Sequence, residues 1–190
     1  MPFEAPGAVE RAERLAAVMA TIYLVFNEGY SAGPKDEARG GLADEGIRLG
    51  RLLLRMFSTE PEVMGLLALM LIQHSRAEAR FDKAGGIVLL EDQDRSFWRG
   101  KLIQEGLVII EKAVRHQRTG PYLVQAAIAA LHARAPKFED TDWNGIDALY
   151  ATLERLTPSP VITLNRAVVV SKTKGPQAAL GAVAQDSVAD

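Results

Sequence analysis

Helical periodicity is the feature of this sequence that most restricts its fold. Apolar side chains recur at spacings of three and four residues, and the first such stripe comprises Leu15, Val18, Met19, Ile22 and Phe26. Later segments repeat this spacing and are separated by proline and glycine, which start or end helices. The pattern predicts helices over about 9–27, 36–57, 61–80, 95–117, 121–134, 143–156 and 160–172, with an eighth after Pro176.

One segment departs from the helical pattern. The stretch FDKAGGIVLLE, residues 81–91, carries the turn signal Gly85-Gly86 and then a short run of apolar residues. We expect a turn-rich excursion near 81–93, with 87–90 either extended or an ordered loop. Seven or eight helices joined by short loops indicate an all-α architecture.

A repeat of helical hairpins is also indicated. The spacing of Trp143, Ile146, Asp147 and Tyr150 resembles the first helix of a tetratricopeptide repeat, whose period is about 34 residues. The second helix of that repeat fits less well. We therefore predict a right-handed, tetratricopeptide-like array of antiparallel helical hairpins that forms a single domain over 1–190.

Composition excludes several classes of function. The chain has no cysteine, which rules out disulfides and thiolate metal sites, and only three histidines. A formal net charge of −2 provides no field that would attract nucleic acid. The apolar runs are too short to span a bilayer, and Met1–Glu4 does not begin a signal peptide. We expect a cytoplasmic protein with no metal and no cofactor.

The stretch YLVFNEGYSAG, residues 23–33, ends the first predicted helix on an acid. Gly29 is expected to be a left-handed cap, and Glu28 then lies at the negative end of the helix. That arrangement costs roughly 0.3–1 kcal/mol unless a cation relieves it. We expect the cation to come from Arg48, Arg76 or Arg80.

Several polar side chains interrupt faces that should be buried. They either satisfy one another in a closed structural network, which is the more common outcome, or line a polar groove for a small ligand, a peptide or a protein. The candidate groove residues are Asn27, Glu28, Tyr30, Glu45, Arg48, Gln73, Arg76, Arg80, Asp92, Gln93, Asp94, Arg95, Gln125 and His132.

Catalytic arrangements are sparse. His74 and Glu78 are spaced i and i+4, but no nucleophile or third ligand accompanies them in the sequence. We therefore expect no enzyme. The alternative is a small-molecule sensor or an enzyme that uses the same groove, and a pocket around His74, Asp92 and Asp94 would favour it. A third class is a structural protein that only dimerises.

Six blocks of sequence in the same order resemble one known family. They are YLVFNEGYSA (23–32), PEVMGLLALMLIQHSRAEAR (61–80), LLEDQDRSFW (89–98), GPYLVQAAIAALHARAP (120–136), DTDWNGIDALY (140–150) and TPSPVITLNRAVVV (157–170). Together they resemble the helical, tetratricopeptide-like C-terminal extension of a group of bacterial extracytoplasmic-function (ECF) RNA polymerase sigma factors. The resemblance covers about residues 3–184.

The resemblance implies a regulatory domain that acts in transcription initiation by binding. The promoter-melting and helix-turn-helix domains of such sigma factors are absent from these 190 residues. We therefore expect no direct DNA binding by this chain and a domain truncated at both ends. The implied partners are the upstream sigma domains, RNA polymerase through them, and a small YCII-related protein. A homodimer through the C-terminal end is a further expectation.

Overall fold

A computed structural model describes residues 7–33 and 36–186. Within these residues the protein is all-α, as predicted, and contains no strand beyond a single antiparallel bridge between Phe81 and Ile87. The α-helices of this part are α1 (Ala8–Ser31), α2 (Glu37–Gly40), α3 (Leu42–Met56), α4 (Pro61–His74), α5 (Gly100–Val114), α6 (Pro121–Arg134), α7 (Trp143–Leu156), α8 (Pro160–Lys174) and α9 (Pro176–Asp186).

Helices that follow one another in sequence pack against one another in space. α1 packs on α3, α3 on α4, α6 on α7, α7 on α8 and α8 on α9, while α4 contacts both α5 and α6. The result is an array in which α4 is central. From Val63 to Ile72 every side chain of α4 is buried, as expected for a helix that is apolar on all sides.

Close contact between α1 and α3 depends on glycine. A Cβ at position 29 would lie 2.2 Å from the backbone nitrogen of Ala43, and one at position 46 would lie 2.8 Å from the Cβ of Phe26. The prediction that Gly29 is a left-handed cap is therefore wrong. α1 continues to Ser31, and Gly29 allows the backbones of two helices to approach.

The structure also corrects the extent of three predicted helices. The second predicted helix is broken at Gly41 into α2 and α3. The third ends at His74, because the Ser75 hydroxyl donates to the Ile72 carbonyl at 2.6 Å and Ala77–Ala79 form a 3-10 turn. The fourth begins at Gly100, because Asp94 caps the separate 3-10 turn Arg95–Phe97.

The turn-rich excursion near 81–93 is confirmed. Asp82 Oδ1 accepts the backbone N–H groups of Ala84 and Gly86, both at 2.8 Å. Gly85 has φ +92°, a conformation that glycine adopts without strain. These contacts order the loop without a sheet, so the segment is a folded excursion between α4 and α5.

None of the helices in the described part of the chain has the length and the apolar character needed to cross a membrane.

Candidate functional site

A cavity of about 430 Å³ lies between α4, α6, α7 and α8, and we call it the central groove. Its apolar wall includes Leu69, Ile128, Leu153 and Ile162, and Leu90 reaches it from the 81–93 loop. Its polar side chains are Tyr23, Gln73, Arg76, Gln125, His132, Tyr150 and Asn165. The structure thus brings together four of the predicted residues: Gln73, Arg76, Gln125 and His132.

Helical spacing explains why these side chains converge. On α6, Gln125, Ile128 and His132 are separated by three and four residues and therefore share one face. Gln73 follows Leu69 by one turn of α4. Arg76 comes directly after that helix, so its side chain reaches the same cavity.

An ion-pair cluster fixes the α7–α8 side of the groove. Arg166 of α8 donates to Asp147 at 2.8 Å and to Glu154 at 2.6 Å, and both acids lie on α7. Because Arg166 follows Asn165 directly, these bonds help to hold the Asn165 segment of α8 against α7, whose Tyr150 lines the same groove.

Several polar groups of the central groove have no partner. The side chains of Arg76 and Asn165 form no hydrogen bond and no ion pair with the described residues. Gln73 Oε1 and His132 Nδ1 are buried without a hydrogen bond in the described structure. Burial raises the pKa of the Tyr23 hydroxyl, and the side-chain amides of Gln73 and Asn27 oppose that shift. Buried polar groups are usually paired, so Gln73 Oε1 and His132 Nδ1 retain unused hydrogen-bonding capacity, whereas Arg76 is partly exposed and Asn165 is exposed.

The groove is electropositive. None of the described residues that line it is an aspartate or a glutamate, whereas Arg76 is a permanent cation. Burial, and then the positive charges of Arg76 and Arg95, lower the pKa of His132 to about 4. Burial and Arg76 likewise lower the pKa of Arg95, while Glu139 opposes the shift. His132 is therefore neutral near pH 7 and can donate or accept a hydrogen bond.

Arg95, another predicted residue, has a structural role. Its Nη1 donates to the carbonyls of His132 at 2.7 Å and Ala135 at 2.8 Å, at the C-terminal end of α6. Its guanidinium also lies over the ring of Trp98, 4.4 Å from the centroid. Arg95 thus anchors the loop to α6 and adds positive charge behind the groove.

A second cavity, of about 480 Å³, lies beside the end of α1, and we call it the His74 pocket. It contains two predicted residues, Tyr30 and Arg80, and the Arg80 guanidinium lies 3.7 Å from the Tyr30 ring centroid. His74 Nε2 is 3.2 Å from Asp44 Oδ1. Burial lowers the pKa of His74, and Asp44 opposes that shift.

Glu28 pairs with a residue that we did not predict. Arg39 Nη1 donates to Glu28 Oε1 at 2.7 Å, and both side chains are about half exposed (45% and 55%). The expected partners Arg48, Arg76 and Arg80 are therefore wrong for this acid. The break at Gly41 separates α2 from α3 and places Arg39 near the end of α1. The predicted continuous helix over 36–57 did not place Arg39 there.

The remaining predicted residues do not line the central groove. Glu45 and Arg48 form an exposed two-point pair on α3, with both hydrogen bonds at 2.7 Å. Gln93 Nε2 donates to the Val88 carbonyl at 3.1 Å within the loop. Asp94 caps the 3-10 turn through Ser96 N at 2.9 Å, and Asp92 is exposed. The pocket around His74 contains Asp44 and Glu78, and not the Asp92 and Asp94 that would have favoured the sensor or enzyme alternative.

Sequence reasoning missed Tyr23, Tyr150 and Asn165 as groove residues. Asn165 stands in the segment VITLNR, where it is the one amide, and that isolated polarity was the available signal. Within the described residues, no group of three or more acidic or histidine side chains could hold a metal ion.

Comparison with known proteins gives a family and one long relative. Residues 14–114, more than half of the chain, match the family described as a family of unknown function, DUF6596. An uncharacterized protein of Rhizobium meliloti (strain 1021), R00370, is 65% identical over 185 residues. That match covers 96% of this chain but 44% of the relative, so the chain spans less than half of its length. No solved structure matches the chain significantly.

Proposed function

The chain belongs to DUF6596, a family of unknown function, and we propose that it is the regulatory interaction domain of a bacterial ECF-type RNA polymerase sigma factor. It acts by binding another protein segment and not by catalysis. The resemblance of six sequence blocks to that class of extension supports the proposal. The greater length of the relative is compatible with it, because a sigma factor needs further domains.

The central groove is the observation that carries the binding role. It is open at the α8 side, where Val161 and Asn165 are exposed, and it is walled by apolar side chains farther in. Its polar groups have unused hydrogen-bonding capacity. A concave surface with an apolar wall and a few convergent polar groups is typical of a binding site.

The proposed occupant is another region of the same longer protein. Through it the domain regulates transcription initiation and reaches RNA polymerase indirectly, in the cytoplasm. A small YCII-related protein is a further candidate partner. Direct DNA binding is not proposed, because a net charge of −2 gives the chain no overall attraction to phosphate.

The test is a transcription assay with the full-length relative and RNA polymerase. The substitution that matches Arg76→Gln should change transcription from the cognate promoter, and the one that matches Arg48→Gln should not. Unchanged transcription in the first variant, with the fold intact by circular dichroism, would contradict the proposal.

The His74 pocket supports a second candidate, a small-molecule sensor. A neutral, buried His74 beside Asp44 and the cations Arg80 and Arg99 offers both hydrogen bonding and positive charge. A metabolite screen by thermal shift, with His74→Gln as the comparison, tests this candidate. A sensor predicts a stabilising compound whose effect is lost in that variant.

Self-association into a homodimer is the third candidate. α8 exposes Leu164 and Val168, each at 58%, and Leu180 of α9 is exposed at 72%. Apolar surface of this kind favours association. Analytical ultracentrifugation tests it, and a monomer at all concentrations would contradict it.

A further inference from the structure

We propose that the central groove binds an extended, acidic peptide segment, with a carboxylate of that segment against Arg76 and its apolar side chains against the wall of the groove. This inference rests on the proposed function, because it specifies the chemistry of the segment that the groove receives. It can also be tested without the proposed function, because it concerns the binding of any acidic peptide segment of this composition.

Charge is the first part of the argument. Arg76 lines the groove without a counter-ion among the described residues, and no acid shares the groove with it. Arg95 and Arg80 lie close enough to repel it: burial is the larger cause of the lowered pKa of each, and the charge of Arg76 lowers both further. Clustered cations in a partly dry site are stabilised by an anion. A guanidinium can bind a carboxylate through two parallel hydrogen bonds.

The neighbouring hydrogen-bonding groups suit a peptide. Gln73, Gln125 and Asn165 come from α4, α6 and α8 and present amides along the groove. A side-chain amide both donates and accepts hydrogen bonds, so it can pair with the N–H and C=O groups of a peptide backbone. Asn165 is exposed and its side chain forms no hydrogen bond with the described residues, which leaves its amide available to a peptide backbone.

The wall of the groove favours a peptide over nucleic acid or a lone anion. Val161, which is exposed, and the partly exposed Leu90 and Ile162 provide apolar surface for alternate side chains of an extended segment. A phosphate backbone would need several cations, whereas Arg76 is the one permanently charged residue among those that line the groove. One cation beside an apolar wall instead fits one carboxylate flanked by apolar side chains.

The experiment is a selection of short random peptides against this chain. We expect the selected peptides to be enriched in aspartate or glutamate flanked by apolar residues. With Arg76→Gln the acidic enrichment should disappear, and affinity for the best wild-type peptide should fall about tenfold. Arg76→Lys, which keeps the charge, should restore part of the affinity.

Two further measurements locate the bound peptide. Its binding should raise the pKa of His132, measured by NMR, because a carboxylate beside Arg76 offsets the positive charge near the imidazole. Asn165→Ala should weaken binding as well. Arg48→Gln is the matched control, because Arg48 is an exposed arginine paired with Glu45 outside the groove, and it should bind as the wild type does.

Three outcomes would overturn the inference: no peptide is recovered, the peptides recovered are not acidic, or Arg76→Gln leaves their binding unchanged. The same holds if inorganic phosphate or an oligonucleotide binds the groove and the acidic peptides do not. Failure of the proposed function is distinguishable from these results. Acidic peptides would then bind through Arg76, while transcription by the full-length relative would not respond to the matching substitution.

Discussion

The Arg76 guanidinium and the His132 imidazole face the same groove, and the positive charge of the first disfavours protonation of the second. Burial is the larger cause of the low pKa of His132, and Arg76 and then Arg95 add to it. The ring also packs edge-on against Trp143, 5.4 Å between centroids. A histidine in this position reports on the charge of the groove.

The first prediction concerns pH. The pKa of His132 is about 4 in the folded chain against 6.5 for an ordinary histidine. Between these values the unfolded chain binds more protons, so stability is lost as the pH falls from about 6.5 towards 4. The contribution is about 3 kcal/mol at most. Urea unfolding at several pH values should show this loss, and His132→Gln should reduce it.

Arg76→Gln tests whether the charge of Arg76 contributes to the low pKa of His132. Removing that charge should raise the pKa of His132, measured by NMR of the ring, whereas Arg48→Gln should leave it unchanged. A pKa of His132 near 6.5 in the wild-type chain would mean that the ring is neither buried nor close to these cations.

The second prediction concerns the contact between α1 and α3. Gly29→Ala would place a Cβ 2.2 Å from the backbone nitrogen of Ala43, so the helices must move apart. We expect a loss of about 1–3 kcal/mol in the free energy of unfolding. Gly40→Ala is the control, since a Cβ there meets nothing within 4 Å, and it should be neutral or stabilising. Equal stability of both variants would contradict the close approach.

Gly29 illustrates which parts of the fold can be predicted from the sequence and which cannot. Apolar periodicity predicted the all-α class and the limits 121–134 and 143–156, because those helices begin and end on local signals. Gly29 was predicted to end the helix because a glycine at a helix cap and a glycine at a helix–helix contact cannot be told apart in a sequence. The difference depends on α3, a partner that the pattern of one helix does not describe.

The site was predictable to a similar extent. Gln73, Arg76, Gln125 and His132 were found because each interrupts an apolar face. Glu28 was assigned the wrong cation, because the break at Gly41 depends on how α2 and α3 pack. Tyr150 was not singled out because its spacing matches an ordinary core position, and only the placement of α7 beside α8 brings it to the groove.

The third prediction concerns Glu62 of α4. Its carboxylate accepts the backbone N–H groups of Tyr122 and Leu123, both at 3.0 Å, in the first turn of α6. Glu62→Ala leaves these donors without a partner and should lower the free energy of unfolding by about 1–3 kcal/mol. Glu111→Ala, at an exposed acid 3.9 Å from Arg134, should have little effect. Similar urea midpoints for the two variants would argue against this cap.

The fourth prediction concerns Glu28 and Arg39. Both side chains are about half exposed, so solvent screens their ion pair. We expect Arg39→Gln to leave the urea midpoint almost unchanged. Arg39 Nε also donates to Asp36 Oδ2 at 2.6 Å, so a large fall in the midpoint that Glu28→Gln reproduces and Arg48→Gln does not would mean that the Glu28–Arg39 pair has a structural role that its exposure does not suggest.

The most direct test of the central claim is photo-crosslinking in the full-length relative. A photoreactive amino acid at the position that matches Asn165 should crosslink to the part of that protein outside this domain, and the substitution that matches Arg76→Gln should abolish the crosslink. The exposed position that matches Val108, on α5, is the control and should give none. No crosslink from the groove position, or one that persists without Arg76, would contradict the account.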